Sequence, residues 1–153
     1  MKTAKNILAM FFVATTMLFA SCGDKEEKTL TANDLNGTSW EANIVNSASQ
    51  GGVQMNIDLH FALDFTSTTE YEMFMDLNLE VPTYPAANQR MNETDAGTYT
   101  IDGNKLVMTS TDGTNEVLTY NSKDDTFSMS IPDDEEELHE MLGADKVIFH
   151  RTR

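Results

Sequence analysis

Between Val53 and Phe65 the chain alternates without interruption. Val53, Met55, Ile57, Leu59, Phe61, Leu63 and Phe65 occupy the odd positions, and Gln54, Asn56, Asp58, His60, Ala62 and Asp64 the even ones. A period of two puts the first set on one face of a strand and the second on the other. A slip of one residue would turn Asp58 and Asp64 inward, so the register is strongly specified. The pattern returns in Tyr71, Met73, Met75, Leu77, Leu79 and Val81, opposed by Glu72, Asp76, Asn78 and Glu80. Phe74 stands on the polar side of that second strand and is expected to be exposed.

Shorter alternating segments follow: Tyr99 and Ile101, Leu106 and Met108, Leu118 and Tyr120, then Phe127, Met129 and Ile131. Asp102-Gly103, Asp112-Gly113 and the stretch from Asn121 to Asp125 separate them as turns. Asp-Gly between alternating segments is a strong hairpin signal, because turns with positive φ favour these residues. Gly51-Gly52 joins a first strand around Trp40 to Ala48 to the long one, and Val147, Ile148 and Phe149 make the last.

Two connections are longer. Pro82 to Asp95 is polar, contains Pro82 and Pro85, and reads as a loop of functional length. Pro132 to Lys146 reads as a connection that holds a short helix. Pro132 suits its start, Asp133 to Glu137 suit its N-terminal turn, Leu138, Met141 and Leu142 form an apolar stripe, and Gly143 stops it. The expected fold is all-β: an eight-stranded up-and-down antiparallel barrel with one short helix before the last strand. Closure removes the free edges that a meander of this length would otherwise expose.

The N-terminus has a different pattern. Lys2 and Lys5 precede an apolar run from Ile7 to Ala20, which ends in Ser21-Cys22. A positive start, a short apolar stretch and small residues at its end form a secretory signal. The run is shorter than the ~20 residues of a spanning helix. Cys22 is the one cysteine of the chain. Its place after Ala20-Ser21 resembles the lipobox of bacterial lipoproteins, which implies lipidation of Cys22 and a permanent membrane anchor. Residues 1–21 are then the signal peptide, 22–29 the lipidated cysteine and a flexible tether, and 30–153 the folded domain. Lys25-Glu26-Glu27 just after Cys22 resembles the surface-export signal of Bacteroidota lipoproteins. That resemblance implies the outer membrane and a domain facing the cell exterior.

Loss of residues 1–21 would leave 8 basic against 25 acidic residues, a net charge of −17. Such a chain repels phosphate backbones, so nucleic acid is not expected as a partner. With Cys22 lipidated, no thiol remains for a disulfide or a thiolate metal site.

Leu35-Asn36-Gly37-Thr38-Ser39-Trp40 opens the domain, Gly97 to Leu106 lies at its middle, and Val147-Ile148-Phe149-His150-Arg151 closes it. The order resembles the lipocalin-like domains of Bacteroidota lipoproteins. A Gly-Thr-X-Trp start also occurs in META-type domains, and Gly37 and Trp40 are one residue further apart than in the lipocalin Gly-X-Trp. The lipocalin resemblance implies that Trp40 packs under Arg151 and closes the barrel floor; the alternative is that Arg151 holds a ligand carboxylate, whose geometry a guanidinium matches.

Catalytic chemistry is sparse. His60, His139 and His150 fall on separate elements, and no serine sits in a nucleophile motif. The run Asp133 to Glu137 lacks the spacing of a calcium loop. No enzyme activity, metal site or cofactor is expected. Met55, Met73, Met75, Met108 and Met129 fall on inward faces, where flexible, polarisable side chains either fill the gaps of a solid core or form an adaptable apolar surface. Two functions follow. In the first, the barrel binds a small apolar or amphipathic ligand, entering by the Pro82–Asp95 loop past Tyr84 and touching Met73, Met75, Met108 and Met129. In the second, it is a ligand-free interaction module for a surface protein or glycan, an inhibitor or an accessory subunit.

Overall fold

The computed structural model describes residues 29–153; the signal segment, Cys22 and the tether up to Lys28 lie outside the described residues. The elements run α1 (Ala32–Leu35), β1 (Ser39–Gln50), β2 (Val53–Phe65), β3 (Glu70–Glu80), a 3-10 turn (Pro85–Ala87), β4 (Gln89–Asp102), β5 (Lys105–Ser110), β6 (Asn115–Asn121), β7 (Thr126–Ser130), α2 (Glu136–Leu142) and β8 (Lys146–Arg151). Each strand pairs antiparallel with the next, and β8 returns to β1, so the sheet is a closed eight-stranded up-and-down barrel. The alternation of β2 and β3 is realised as inward burial. Ile57, Leu59, Phe61, Leu63, Phe65, Tyr71, Met73, Met75 and Leu77 are all buried. Phe74 is partly exposed on the outer wall.

The strands divide into two sets. β1 to β4 are 12, 13, 11 and 14 residues long, whereas β5 to β8 have 6, 7, 5 and 6. The long hairpins therefore project beyond the short strands at one end. That end carries the β1–β2 turn, residues 81–88, the turn at 111–114 and α2. The opposite end, the floor, carries α1, the turns at 66–69, 103–104 and 122–125, and the C-terminus.

Three expectations are corrected. Pro82 to Asp95 is not one loop: β4 starts at Gln89 and pairs with β3 from Leu79↔Gln89 onward. The alternation is disguised there because Glu93, Asp95 and Gly97 take the inward positions between Met91 and Tyr99. Next, the helix starts at Glu136 rather than Pro132. Pro132 opens a turn in which the Glu135 amide donates to its carbonyl at 3.0 Å, and Glu135 gives no side-chain cap. Gly143 does end the helix, at φ 65°. Finally, the turn after β4 is centred on Gly103-Asn104, because Asp102 still pairs with Lys105. Only Gly103, at φ 62°, takes positive φ there, and glycine at the first of two turn positions serves that geometry.

α1 is an element beyond those expected. Thr31 caps it: its hydroxyl accepts from the Asp34 amide at 3.4 Å while the Asp34 carboxylate accepts from the Thr31 amide at 3.0 Å. This reciprocal capping turns the chain so that Leu30 and Leu35 are buried under the barrel floor.

Candidate functional site

The floor is built around Trp40, fully buried on β1. Its indole N–H donates to the Thr38 hydroxyl at 2.9 Å, and that hydroxyl donates to the Leu35 carbonyl at 2.7 Å. Phe127 meets its ring edge-on at 4.6 Å and Tyr120 at 6.4 Å between centroids. Arg151 stands opposite Trp40 in the β1–β8 register, its guanidinium carbon 4.7 Å from the ring centroid. The same guanidinium holds Asp125 at 3.1 Å, and Asp125 also accepts from the Tyr120 hydroxyl at 2.8 Å. Burial and the hydrogen bond to Asp125 push the Tyr120 phenol up to about 12.

Above the floor the interior is occupied. Phe61 packs on Phe149, and Phe65 on Tyr99 and Phe127, with centroid distances from 4.9 to 6.1 Å. Met73, Met75, Met108 and Met129 are brought together within this same buried core. Tyr84 is not among them: it is 63% exposed, just ahead of the 3-10 turn. Leu138 and Leu142 of α2 join the core beneath the projecting end, with Met141 packed against it. The Asn46 amide of β1 holds the helix there, donating to the Met141 carbonyl at 2.8 Å. His139 donates from Nε2 to the Pro132 carbonyl at 3.1 Å and places Nδ1 3.4 Å from Asp145.

One side of the interior is polar. Asp95 accepts from the Tyr71 hydroxyl at 2.8 Å and from the Ser110 hydroxyl at 2.6 Å. Burial first, then the hydrogen bond to Asp95, pushes the Tyr71 phenol upward. Glu116, opposite Met108 on β6, is only 8% exposed, and its Oε2 has no hydrogen-bond partner. Burial raises its carboxyl to about 8. Glu116 is therefore mostly protonated at neutral pH. A signal for it existed: Glu116 shares the parity of Leu118 and Tyr120, as Asp95 shares that of Tyr99.

Two open pockets lie on the outer wall. One, of about 300 Å³, is lined by Asp58, His60, Asp76, Asn78 and Arg90. Arg90 grips Asp76 there with two hydrogen bonds, at 2.7 and 3.2 Å, and the first consequence is an Asp76 carboxyl held below its usual range. The other, of about 510 Å³, lies between β1 and β8 and is lined by Glu41, Asn43, Ile44, Val45, Ala144, Lys146, Ile148, His150 and Thr152.

Among the described residues no group of three or more His, Cys, Asp or Glu side chains is placed to hold a metal ion. No helix among them is long and apolar enough to cross a membrane. Cys22 lies outside the described residues. No protein-family model matches this chain, and no curated protein matches it.

Proposed function

We propose that this chain is a lipoprotein anchored through Cys22 in the outer membrane, facing the cell exterior, and that its lipocalin-like barrel works as an interaction module through its outer wall. The observation that carries the second part is the occupied interior. Trp40, Phe61, Phe65, Tyr71, Phe127 and Phe149 are each at most 1% exposed inside a closed barrel, and the two pockets described above lie on its outer wall. An eight-stranded barrel has room either for side chains or for one small ligand. The partner is then a surface protein or a glycan. The acidic surface disfavours nucleic acid and anionic head groups.

The anchor is tested by fractionation. Cys22→Ser is expected to move the protein from the membrane pellet to the soluble fraction, and protease added to intact cells is expected to degrade the wild-type domain. A variant that still sediments after a high-salt wash refutes the anchor. A wild-type domain that survives protease until the cells are lysed refutes the outward orientation.

A second reading draws on the methionines. Met73, Met75, Met108 and Met129 make the core adaptable, and displacement of α2 from the projecting end would admit a small apolar ligand beside them. Titration with a fluorescent fatty acid separates the two readings, since the outer-wall reading expects no saturable binding.

A further inference from the structure

The barrel is closed by very little strand pairing. β1 and β8 pair at Trp40↔Arg151 and Glu41↔His150, and the pairing then stops. Beyond Ser39 the chain is still zipped, since the Ser39 amide donates to the Arg153 carbonyl at 3.1 Å and the Thr152 amide to the Ser39 carbonyl at 2.8 Å. In the other direction the ladder would continue through Ala42↔Phe149, Asn43↔Ile148, Ile44↔Val147 and Val45↔Lys146, and none of these pairs forms. β8 instead remains paired with β7 along its length from Lys146 to His150. The two strands splay, and the 510 Å³ groove occupies the gap.

The β1 edge facing that gap has a definite orientation. β1 pairs with β2 at every residue from Ser39 to Gln50 without a bulge. Backbone groups of a strand point alternately to its two neighbours. Ser39 directs its N–H and C=O toward β8, so Asn43 and Val45 direct theirs into the groove, where no strand partner is present. Val45 is also 80% exposed, the most exposed large apolar side chain among the described residues, and Ile148 across the groove is 39% exposed. Unpaired edge groups beside exposed apolar side chains form a template for strand addition.

We infer that the β1 edge at Asn43–Val45 accepts an extended peptide segment of a partner protein, one bearing lysine or arginine together with an apolar side chain. The inference rests on the outer-wall reading above and names its partner class. Main-chain hydrogen bonds to Asn43 and Val45 supply the register. An apolar side chain of the segment lies between Val45 and Ile148. Charge selects the cation: residues 29–153 carry 6 basic against 22 acidic residues, a net of −16. Glu41 and Lys146 both line the groove and offset one another, so the selection comes from the acids at its rim, Asp58 paired beside Val45 and Asp145 next to Lys146, and from the charge of the whole domain. The same charge opposes a second copy of this chain as occupant.

The test uses the isotopically labelled domain and two synthetic peptides, acetyl-Lys-Val-Lys-Val-Lys-amide and its charge-reversed counterpart with glutamate for lysine. The basic peptide is expected to shift the amide resonances of Asn43, Val45 and Ile148 saturably and to slow hydrogen exchange at Asn43 and Val45. The acidic peptide is expected to bind at least about tenfold more weakly. Val45→Pro removes an edge donor without touching the β1–β2 ladder, and proline is tolerated at such edge positions; it is expected to abolish the shifts. Asn43→Pro serves the same purpose should Val45→Pro lower the melting temperature. Absence of protection at both amides, equal binding of the acidic peptide, unchanged binding by a folded proline variant, or self-association in place of peptide binding each overturns the inference. Interior ligand binding, read by the fatty-acid titration, is a separate outcome and bears on the outer-wall reading alone.

Discussion

Arg151 lies over the face of Trp40, with 4.7 Å between guanidinium carbon and ring centroid, at the point where the last strand meets the first. The contact is one part of a chain of interactions. Asp125 holds the other side of the guanidinium and accepts from Tyr120, and Tyr120 packs against the Trp40 edge. A cation over an aromatic face contributes about 0.5–2 kcal/mol according to its exposure. Because β1 and β8 pair at so few positions, this cluster carries much of the closure.

Trp40→Ala and Arg151→Ala are therefore each expected to lower stability, the tryptophan by about 3–5 kcal/mol as a buried large-to-small change. Their effects are expected to couple by about 0.5–3 kcal/mol, as for residues in contact. Chemical denaturation of the two single variants and the double variant measures this, and additive losses would separate Arg151 from the closure.

Leu59 is buried and Asp58 exposed, one residue apart on β2. Leu59→Asp places a charge in the core without a partner, at a cost of several kcal/mol, which exceeds much of a domain's net stability. Asp58→Leu changes an outer position. Circular dichroism is expected to show an unfolded first variant and a folded second; equal melting temperatures would contradict the inward assignment of β2.

Glu116 gives the stability a pH dependence of unusual sign. Its carboxyl is raised from 4.5 to about 8 in the folded barrel, so the folded state holds the proton through a range where the unfolded chain has lost it. Stability then falls as pH rises from about 4.5 to about 8 and levels off above. Glu116→Gln removes the titration while keeping the shape. The variant is expected to match the wild type near pH 4 and to exceed it by several kcal/mol above pH 8. Denaturation across this range tests the point. Asp76 and Asp112, whose carboxyls are lowered, are common to both proteins and cancel in the difference. A constant gap between the two curves would contradict the buried protonated acid.

Gly97 allows β4 and β5 to approach closely. A Cβ built there would lie 2.0 Å from the Thr109 carbonyl oxygen and 2.9 Å from the Ser110 Cα, both backbone atoms. Gly97→Ala is expected to cost about 1–3 kcal/mol, as overpacking does, and to show it as a lower melting temperature. An unchanged melting temperature would mean that the β4–β5 crossing has slack.

The barrel was legible in the sequence wherever one face of a strand is uniformly apolar. β2 and the first ten residues of β3 are of that kind, and their inward residues can be read directly from parity. β4 was half hidden, because its inward positions run Met91, Glu93, Asp95, Gly97 and Tyr99, and polar groups satisfied inside a barrel look like loop residues in a list. Asp95 is satisfied by Tyr71 and Ser110, which come from distant strands, so local pattern carries no sign of it. Glu116, whose Oε2 has no partner, was hidden because a lone acid at the start of a short strand reads as an outward residue, although its parity with Leu118 was available. The meeting of Trp40 with Arg151 is implied by the lipocalin resemblance, whereas the splay between β1 and β8 is not. It accompanies the packing of α2 against Asn46, a tertiary contact that no local pattern announces.

On the reading proposed above, the barrel interior is occupied by its own side chains and binding takes place outside. Native mass spectrometry of the protein extracted from its own membrane tests it most directly. One species is expected, with the mass of the lipidated chain from Cys22 onward and no further small molecule retained. A stoichiometric additional mass that Met75→Trp eliminates would place a ligand inside the barrel and refute an interior filled by side chains.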